Sequence, residues 1–211
     1  MIVRQKNGLI AGCVKPGFEA VREAFIENFA RRNELGAACC IYYRGEKVAD
    51  LWGGLRNKAT GELWEEDTYA RNLENPSGNG VGTARAIARA YHVFSKIQCS
   101  EGTGGQEPGL DQKTLQALMA PAVPPLHGFY DEVMKKEMSL SLGFLKPCRA
   151  YPFGNPGAFG EPGAGGSFAY ADPEAEIAYA YVANQMGAKL GGDPRDLALR
   201  EALHRSIVQT R

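Results

Sequence analysis

Residue types that do chemistry are present in this chain, but their spacing does not assemble them. Ser167, in Gly165-Gly-Ser167, looks most like an exposed nucleophile. No base stands at a fixed spacing from it, and the chain has no Gly-x-Ser-x-Gly elbow to lift a hydroxyl clear of a sheet. His92, His127 and His204 lie far apart, and none has a second histidine or cysteine three or four residues on, so core or surface roles are expected for each. The five cysteines, Cys13, Cys39, Cys40, Cys99 and Cys148, are odd in number and form no Cys-x-x-Cys pair for zinc or redox work. Gly78-Asn-Gly80-Val-Gly82 precedes a helix, but its spacing is not Gly-x-Gly-x-x-Gly and no apolar strand leads into it, so it reads as a plain loop. Gly163, Gly165 and Gly166 read equally well as the backbone of a site or as turn residues. Neither a metal nor an organic cofactor is implied.

Composition narrows the partners. Lys+Arg and Asp+Glu both number 24, and this zero balance offers no long-range attraction for nucleic acid or anionic lipid. A length of 211 residues, 44% apolar and 23% charged, suits one domain with a real core. No apolar run approaches a membrane span. Met1 to Phe18 has no signal-peptide core. It carries Arg4, Lys6 and Lys15 without an acid, but lacks the serine-rich amphipathic character of a transit peptide. With unpatterned cysteines, this favours a reducing compartment, the cytoplasm, with the mitochondrion as the alternative.

Periodicity supplies the elements. Phe18, Val21, Phe25 and Phe29 predict a helix from Phe18 to Asn33. Leu35 to Tyr43 and Lys47 to Leu55 predict two strands joined by the turn Arg44-Gly45-Glu46. Tyr69 to Asn75 has no clear period, and Pro76 to Gly80 and Cys99 to Gly109 read as loops. Thr83 to Ile97 predicts a helix with an apolar stripe of Ala86, Ile87, Ala90, Tyr91 and Phe94, and Asp111 caps a short helix ending near Ala120. Met138 to Leu145 predicts a strand. Phe153-Gly-Asn-Pro-Gly-Ala158 is echoed at once by Phe159-Gly-Glu-Pro-Gly-Ala164; six residues are too few for a solenoid unit, so a duplication of turns is expected. Ser167 to Ala171 and Ile177 to Asn184 predict strands around Asp172-Pro-Glu174. Tyr170, Tyr179 and Tyr181 sit at strand spacing, as sheet packing would need. Pro194 opens a last helix with Leu197, Leu199, Ala202, Leu203, Ser206 and Ile207 on its apolar face. The expected fold is α+β: an antiparallel five-stranded sheet flanked by N- and C-terminal helices on one face.

Three segments carry a family likeness. Gly36-Ala-Ala-Cys-Cys-Ile-Tyr-Tyr-Arg-Gly-Glu-Lys-Val-Ala-Asp-Leu-Trp-Gly-Gly54, with Ala59-Thr-Gly61 and Trp64-Glu-Glu-Asp-Thr68, resembles the opening hairpin of the serine β-lactamase-like family, which includes class C β-lactamases, penicillin-binding proteins and esterases. Phe159 to Glu174, running into Ala178 to Asn184, resembles that family's third-motif strand and the strand after it. Pro76-Ser-Gly-Asn-Gly80 with Thr83 to Arg89 resembles a helix late in its helical subdomain. The resemblance implies acyl transfer on a small-molecule ester or amide. It also implies a single domain over 1–211, its α/β sheet portion at 18–68 and 138–208 and a reduced helical subdomain, a remnant, at 69–137.

The same likeness implies a Ser-x-x-Lys, which one helical turn brings together so that the lysine takes the hydroxyl proton. It implies a Tyr-x-Asn-type proton carrier and a Lys/His-x-Gly strand whose backbone helps form an oxyanion hole. Ser77, Ser95, Ser100, Ser139, Ser141, Ser167 and Ser206 are followed three residues on by Gly80, Gln98, Thr103, Leu142, Phe144, Tyr170 and Gln209. No Tyr-x-Asn exists. The first motif is due shortly after Thr68, where the chain passes directly to Tyr69, so one internal excision between Thr68 and about Asn72 is the simplest account. The third motif persists as Glu161, Pro162, Gly163 and Ala164, the one candidate substrate-binding segment, with a carboxylate where the family has a cation and the Ala164 N–H as the candidate oxyanion donor. No catalytic residue and no metal ligand is assigned. The expectation is a catalytically silent relative, or else a non-catalytic module that self-associates through an exposed sheet edge or the former subdomain interface.

Overall fold

The computed structural model describes residues 3–5, 8–69, 82–96, 111–163, 165–187 and 192–210. The expectations for 70–81 and for the loop 97–110 lie outside these residues.

Among the described residues, twelve strands and four helices follow in chain order. The N-terminal part holds β1 (Val3–Gln5), β2 (Gly8–Val14), α1 (Glu19–Arg31), β3 (Gly36–Tyr43), β4 (Glu46–Asn57) and β5 (Glu62–Leu63). The middle holds α2 (Ala84–Lys96), α3 (Gln112–Met119), β6 (Tyr130–Asp131) and β7 (Lys136–Glu137). The remainder is β8 (Leu140–Ser141), β9 (Phe144–Leu145), β10 (Phe159–Pro162), β11 (Phe168–Asp172), β12 (Ile177–Ala183) and α4 (Pro194–Gln209). One antiparallel sheet runs β1-β2-β4-β3-β12-β11-β10-β9-β8, with β5 on β4, while β6 and β7 pair separately.

The fold class and the α1 and α4 helices follow the expectation; the strand number does not. Five strands were expected and the main sheet has more, for three local reasons. The segment Gly8–Val14, to which the sequence reading assigned no element, pairs with β4 from Ile10 opposite Gly53 to Val14 opposite Ala49. The expected strand Met138 to Leu145 is a hairpin of β8 and β9, because Leu142 (φ 50°) and Gly143 (φ 83°) turn the chain back. The second copy of the six-residue echo is not a turn but β10. Hydrogen bonding explains how a Gly/Pro segment becomes a strand. Gly163 N–H donates to Ser167 C=O at 2.7 Å, so bonded pairs fall at 163/167, 161/169 and 159/171. Pro162 then stands opposite Phe168 in a non-bonded pair, where β11 asks no N–H of it. At Gly160 a Cβ would lie 2.3 Å from Ala169 C=O, so the strands close only over glycine.

Alternation along the strands divides the sheet into two faces. One is the main core: Cys39, Ile41, Leu51, Tyr179 and Tyr181 are buried beneath α1 and α4, which supply Val21, Phe25, Leu199 and Leu203. The other carries small side chains, Ala38, Cys40, Ala169 and Ala180, and α2 lies on it through Ala84 and Ala88. The expected stripe of α2 is therefore corrected. Ala86 and Ala90 are exposed; Ala84, Ala88, His92 and Ser95 are buried; Ile87, Tyr91 and Phe94 are partly covered. An alanine-lined sheet lets the helix sit close on Ala84 and Ala88, with His92 stacked on Tyr42 further along, which rotates the stripe and sends Tyr91 and Phe94 to the flank. Thr83 starts α2, its Oγ1 accepting from Ala86 N–H at 3.1 Å. Arg85 then ties the helix to β4, donating from Nε to both Asp50 oxygens at 2.8 Å with its guanidinium 4.9 Å over Trp52.

Candidate functional site

The third-motif segment stands where β10 meets β11 on the face that α2 covers. Three of its four residues are described; Ala164, and with it the candidate oxyanion donor, lies outside the described residues. Glu161 faces Ala169 in register and so points to the α2 side. Partial burial pushes its carboxyl above the ordinary range, while the Leu145 N–H pulls it the other way. The nearby Tyr91 of α2 is pushed up to about 12, by burial first and then by the Glu161 charge. Position 161 thus sets a carboxylate near a phenol that itself packs against the rings of Phe94 and Phe144. Pro162 is buried, and the Gly163 N–H is consumed by Ser167 C=O.

The turn after it is held from below. Gly165 (φ 92°) and Gly166 (φ 107°) adopt left-handed backbone, and a Cβ on Gly166 would lie 2.5 Å from Asp193 Oδ2. Asp193 caps α4, its Oδ1 accepting from Arg195 N–H at 2.9 Å. The buried Arg195 guanidinium donates to Gly165 C=O (3.0 Å), Gln185 C=O (3.0 Å), Asp193 and Glu34 Oε1 (3.1 Å). Tyr181 donates to Glu34 from the centre of the sheet. Burial raises the Glu34 carboxyl, and the Arg195 charge opposes the rise. Sequence spacing missed this group because Glu34, Tyr181 and Arg195 come from three distant segments; the only local signal was Asp193-Pro194 at a helix start.

The remaining candidates are scattered. Ser167 Oγ accepts from Ala183 N–H at 3.2 Å, which ties it to β12 as a structural hydroxyl. His92 is a core residue, stacked 4.3 Å from the Tyr42 ring, with Nδ1 3.1 Å from Ser95 Oγ. That Ser–His contact is sealed, because both residues are buried and the Ser95 hydroxyl donates to His92 C=O at 3.0 Å. His127 and His204 belong to different regions, and among the described residues no cluster of His, Cys, Asp and Glu is built to hold a metal. Burial holds the Cys40 thiol at about 12 and Cys39 well above its usual range, so both behave as small apolar side chains. Lys146, which the sequence did not single out, is buried and donates to Leu118 C=O at 2.6 Å and Gly157 C=O at 3.3 Å, 5.4 Å over the Phe159 ring. Burial brings it down to about 8. Its protons are directed at carbonyls, not at a serine. The site as described can shape a turn and present a carboxylate; among the described residues no hydroxyl is paired with an accessible base.

Comparison with known proteins places this geometry. The β-lactamase family model matches residues 69–204. The esterase/β-lactamase LipL of Mycobacterium tuberculosis is 33% identical over 118 residues, which are 54% of this chain and 24% of that protein. The chain thus spans about a quarter of the length of this relative. Among solved structures, a family VIII carboxylesterase aligns with TM-score 0.76 at 18% identity, covering 93% of this chain and 99% of the other. A penicillin-binding protein homologue from Caulobacter crescentus has the same values. EstA from Arthrobacter nitroguajacolicus Rue61a aligns with TM-score 0.71 at 16% identity, covering 95% and 99%. At these identities the structural likeness speaks to the fold alone.

Proposed function

Since this chain belongs to the β-lactamase family, we propose that it is a serine-hydrolase relative of the ester- and amide-cleaving kind that no longer carries out acyl transfer. The observation that carries this reading is the absence of any Ser-x-x-Lys or Tyr-x-Asn in all 211 residues. A hydroxyl attacks a carbonyl only when a base removes its proton, and among the described residues no accessible base meets a hydroxyl. Two features of the third motif support the reading: Glu161 brings a carboxylate to the place of a cation, and the Gly163 N–H is spent inside the hairpin. Glu161 to Ala164 are then a vestigial substrate segment. The region 69–137 is the remnant of a helical subdomain, shortened by an excision after Thr68. The test is a fluorophosphonate serine-hydrolase probe on purified protein. We expect labelling below one part in a hundred; stoichiometric labelling of any side chain overturns the proposal.

A second reading, a non-catalytic assembly module, is favoured by one observation. In the segment between α3 and β9, Val123, Leu126 and Val133 are 83%, 93% and 89% exposed, and Leu142 at the β8–β9 turn is 63% exposed. Apolar side chains in such number invite a partner surface. The sheet edge beside β4, by contrast, is already occupied by β2. The free thiols Cys13, Cys39, Cys40 and Cys148 are in keeping with a reducing compartment such as the cytoplasm. Among the described residues no helix is long and apolar enough to cross a membrane.

A further inference from the structure

The two copies of the echo adopt different structures, although their sequences differ only at Asn155 against Glu161. The second copy, Phe159 to Gly163, is β10 and the turn after it. The first, Phe153 to Gly157, is a loop. The demands that β11 places on its partner strand are known from the second copy. A large apolar side chain is needed opposite Ala171, where Phe159 packs 5.3 Å from Phe94 and 5.2 Å from Phe144. Glycine is needed opposite Tyr170, because a Cβ would strike Ala169 C=O. A polar residue able to accept from Leu145 N–H follows at the rim. A residue without an N–H is tolerated opposite Phe168, and a glycine is favoured opposite Ser167, where a Cβ would come within 3.3 Å of its carbonyl. Phe153, Gly154, Asn155, Pro156 and Gly157 satisfy these five demands in the same order.

We propose that β10 has a second register, in which Phe153–Pro156 replaces Phe159–Pro162 against β11 as a minor state. The six-residue shift is even, so each side chain returns to the face its counterpart occupied. Leu145 then lies opposite Gly154, with residues 146–153 alone joining them, and the Cys148–Tyr151 bridge inside that segment can remain. The turn into β11 lengthens to 157–167, and loop entropy rises only slowly with length. Contacts made only by the first copy select the observed register. Asn155 donates to Asp172 from its backbone N–H at 2.8 Å and from Nδ2 at 3.1 Å, and Phe153 packs 5.1 Å from Phe168 and 5.5 Å from Tyr170. The consequence is chemical: the exchange removes the Glu161 carboxylate from beside Tyr91 and puts the Asn155 amide there. The third motif is thus neutral in one register and anionic in the other, whether or not the chain hydrolyses anything.

Cross-linking tests this directly. Bonded antiparallel pairs have Cα atoms about 5.5 Å apart, within disulfide reach. Glu161→Cys with Ala169→Cys reports the observed register, and Asn155→Cys with Ala169→Cys the second; mass spectrometry of the linked peptides keeps the native cysteines distinct. We expect the 155–169 link to form more slowly than 161–169 but well above a Lys58→Cys/Ala169→Cys control. Gly160→Val, which blocks only the observed register, should make 155–169 the dominant link. Should the variants unfold, NMR exchange measurements on the unaltered chain decide: exchange confined to 153–163 and β11 is expected, and removing the Asp172 clamp with Asp172→Asn should raise the minor population about tenfold, the effect of losing hydrogen bonds to a charged group. A 155–169 link no faster than control, or no exchange in the unaltered chain, overturns the proposal.

Discussion

At the scale of single residues, two buried charged groups behave in opposite ways. Among the described residues Lys146 has carbonyls and an aromatic ring for company but no carboxylate, and burial lowers it to about 8 from an ordinary 10.5. Between those values the unfolded chain holds a proton that the folded chain has released, so stability from this group rises as pH climbs from about 8 to 10.5. Lys146→Met should remove that rise, by about 3 kcal/mol at the upper end. Urea midpoints of both proteins across the window check it, and parallel curves would contradict it. Arg195, by contrast, neutralises Glu34 and Asp193 inside the core. Arg195→Met strands both carboxylates and should cost about 3–5 kcal/mol. A urea titration that finds less than 1 kcal/mol would mean that water reaches the pair.

At the scale of elements, the informative segments are those where backbone conformation opposes composition. The β8–β9 turn places Leu142 at φ 50°, with its side chain 63% exposed. A left-handed leucine is strained and gains nothing here from burial. Leu142→Asn, suited to the first position of this tight turn, should stabilise the protein by about 0.5–1 kcal/mol, seen as a higher melting temperature with unchanged circular dichroism. A lower melting temperature would show that the leucine makes a contact the hairpin needs. The same tension accounts for what the sequence concealed. A short run of apolar, β-favouring residues predicted β3, β4, β11 and β12, because both faces of those strands are largely buried. It could not predict β10, whose glycine and proline are admissible only because β11 supplies a close backbone at 160 and a non-bonded site at 162. The stripe of α2 was misread for a related cause: helical period locates a face, but the alanine floor beneath it decides which side chains fit.

At the scale of the molecule, α1 and α4 close one face of the sheet and α2 with α3 the other, while apolar side chains stay exposed between α3 and β9. If that exposure serves assembly, sedimentation or size exclusion should show a concentration-dependent dimer, and Val123→Ser/Leu126→Ser/Val133→Ser should return it to monomer without altering the melt. A monomer at all concentrations would remove the assembly reading and leave catalytic silence standing alone. What the sequence by itself determined is chemical and local: the α+β class, the terminal helices, the central hairpin, the family likeness and the missing Ser-x-x-Lys, because periodicity and motif spacing are properties of the chain. Only the tertiary structure decided which groups meet. The joining of Glu34, Tyr181 and Arg195 under the glycine turn, the facing of Glu161 by Tyr91, and the selection of one echo copy over the other all depend on contacts between distant segments, which no spacing along the chain records.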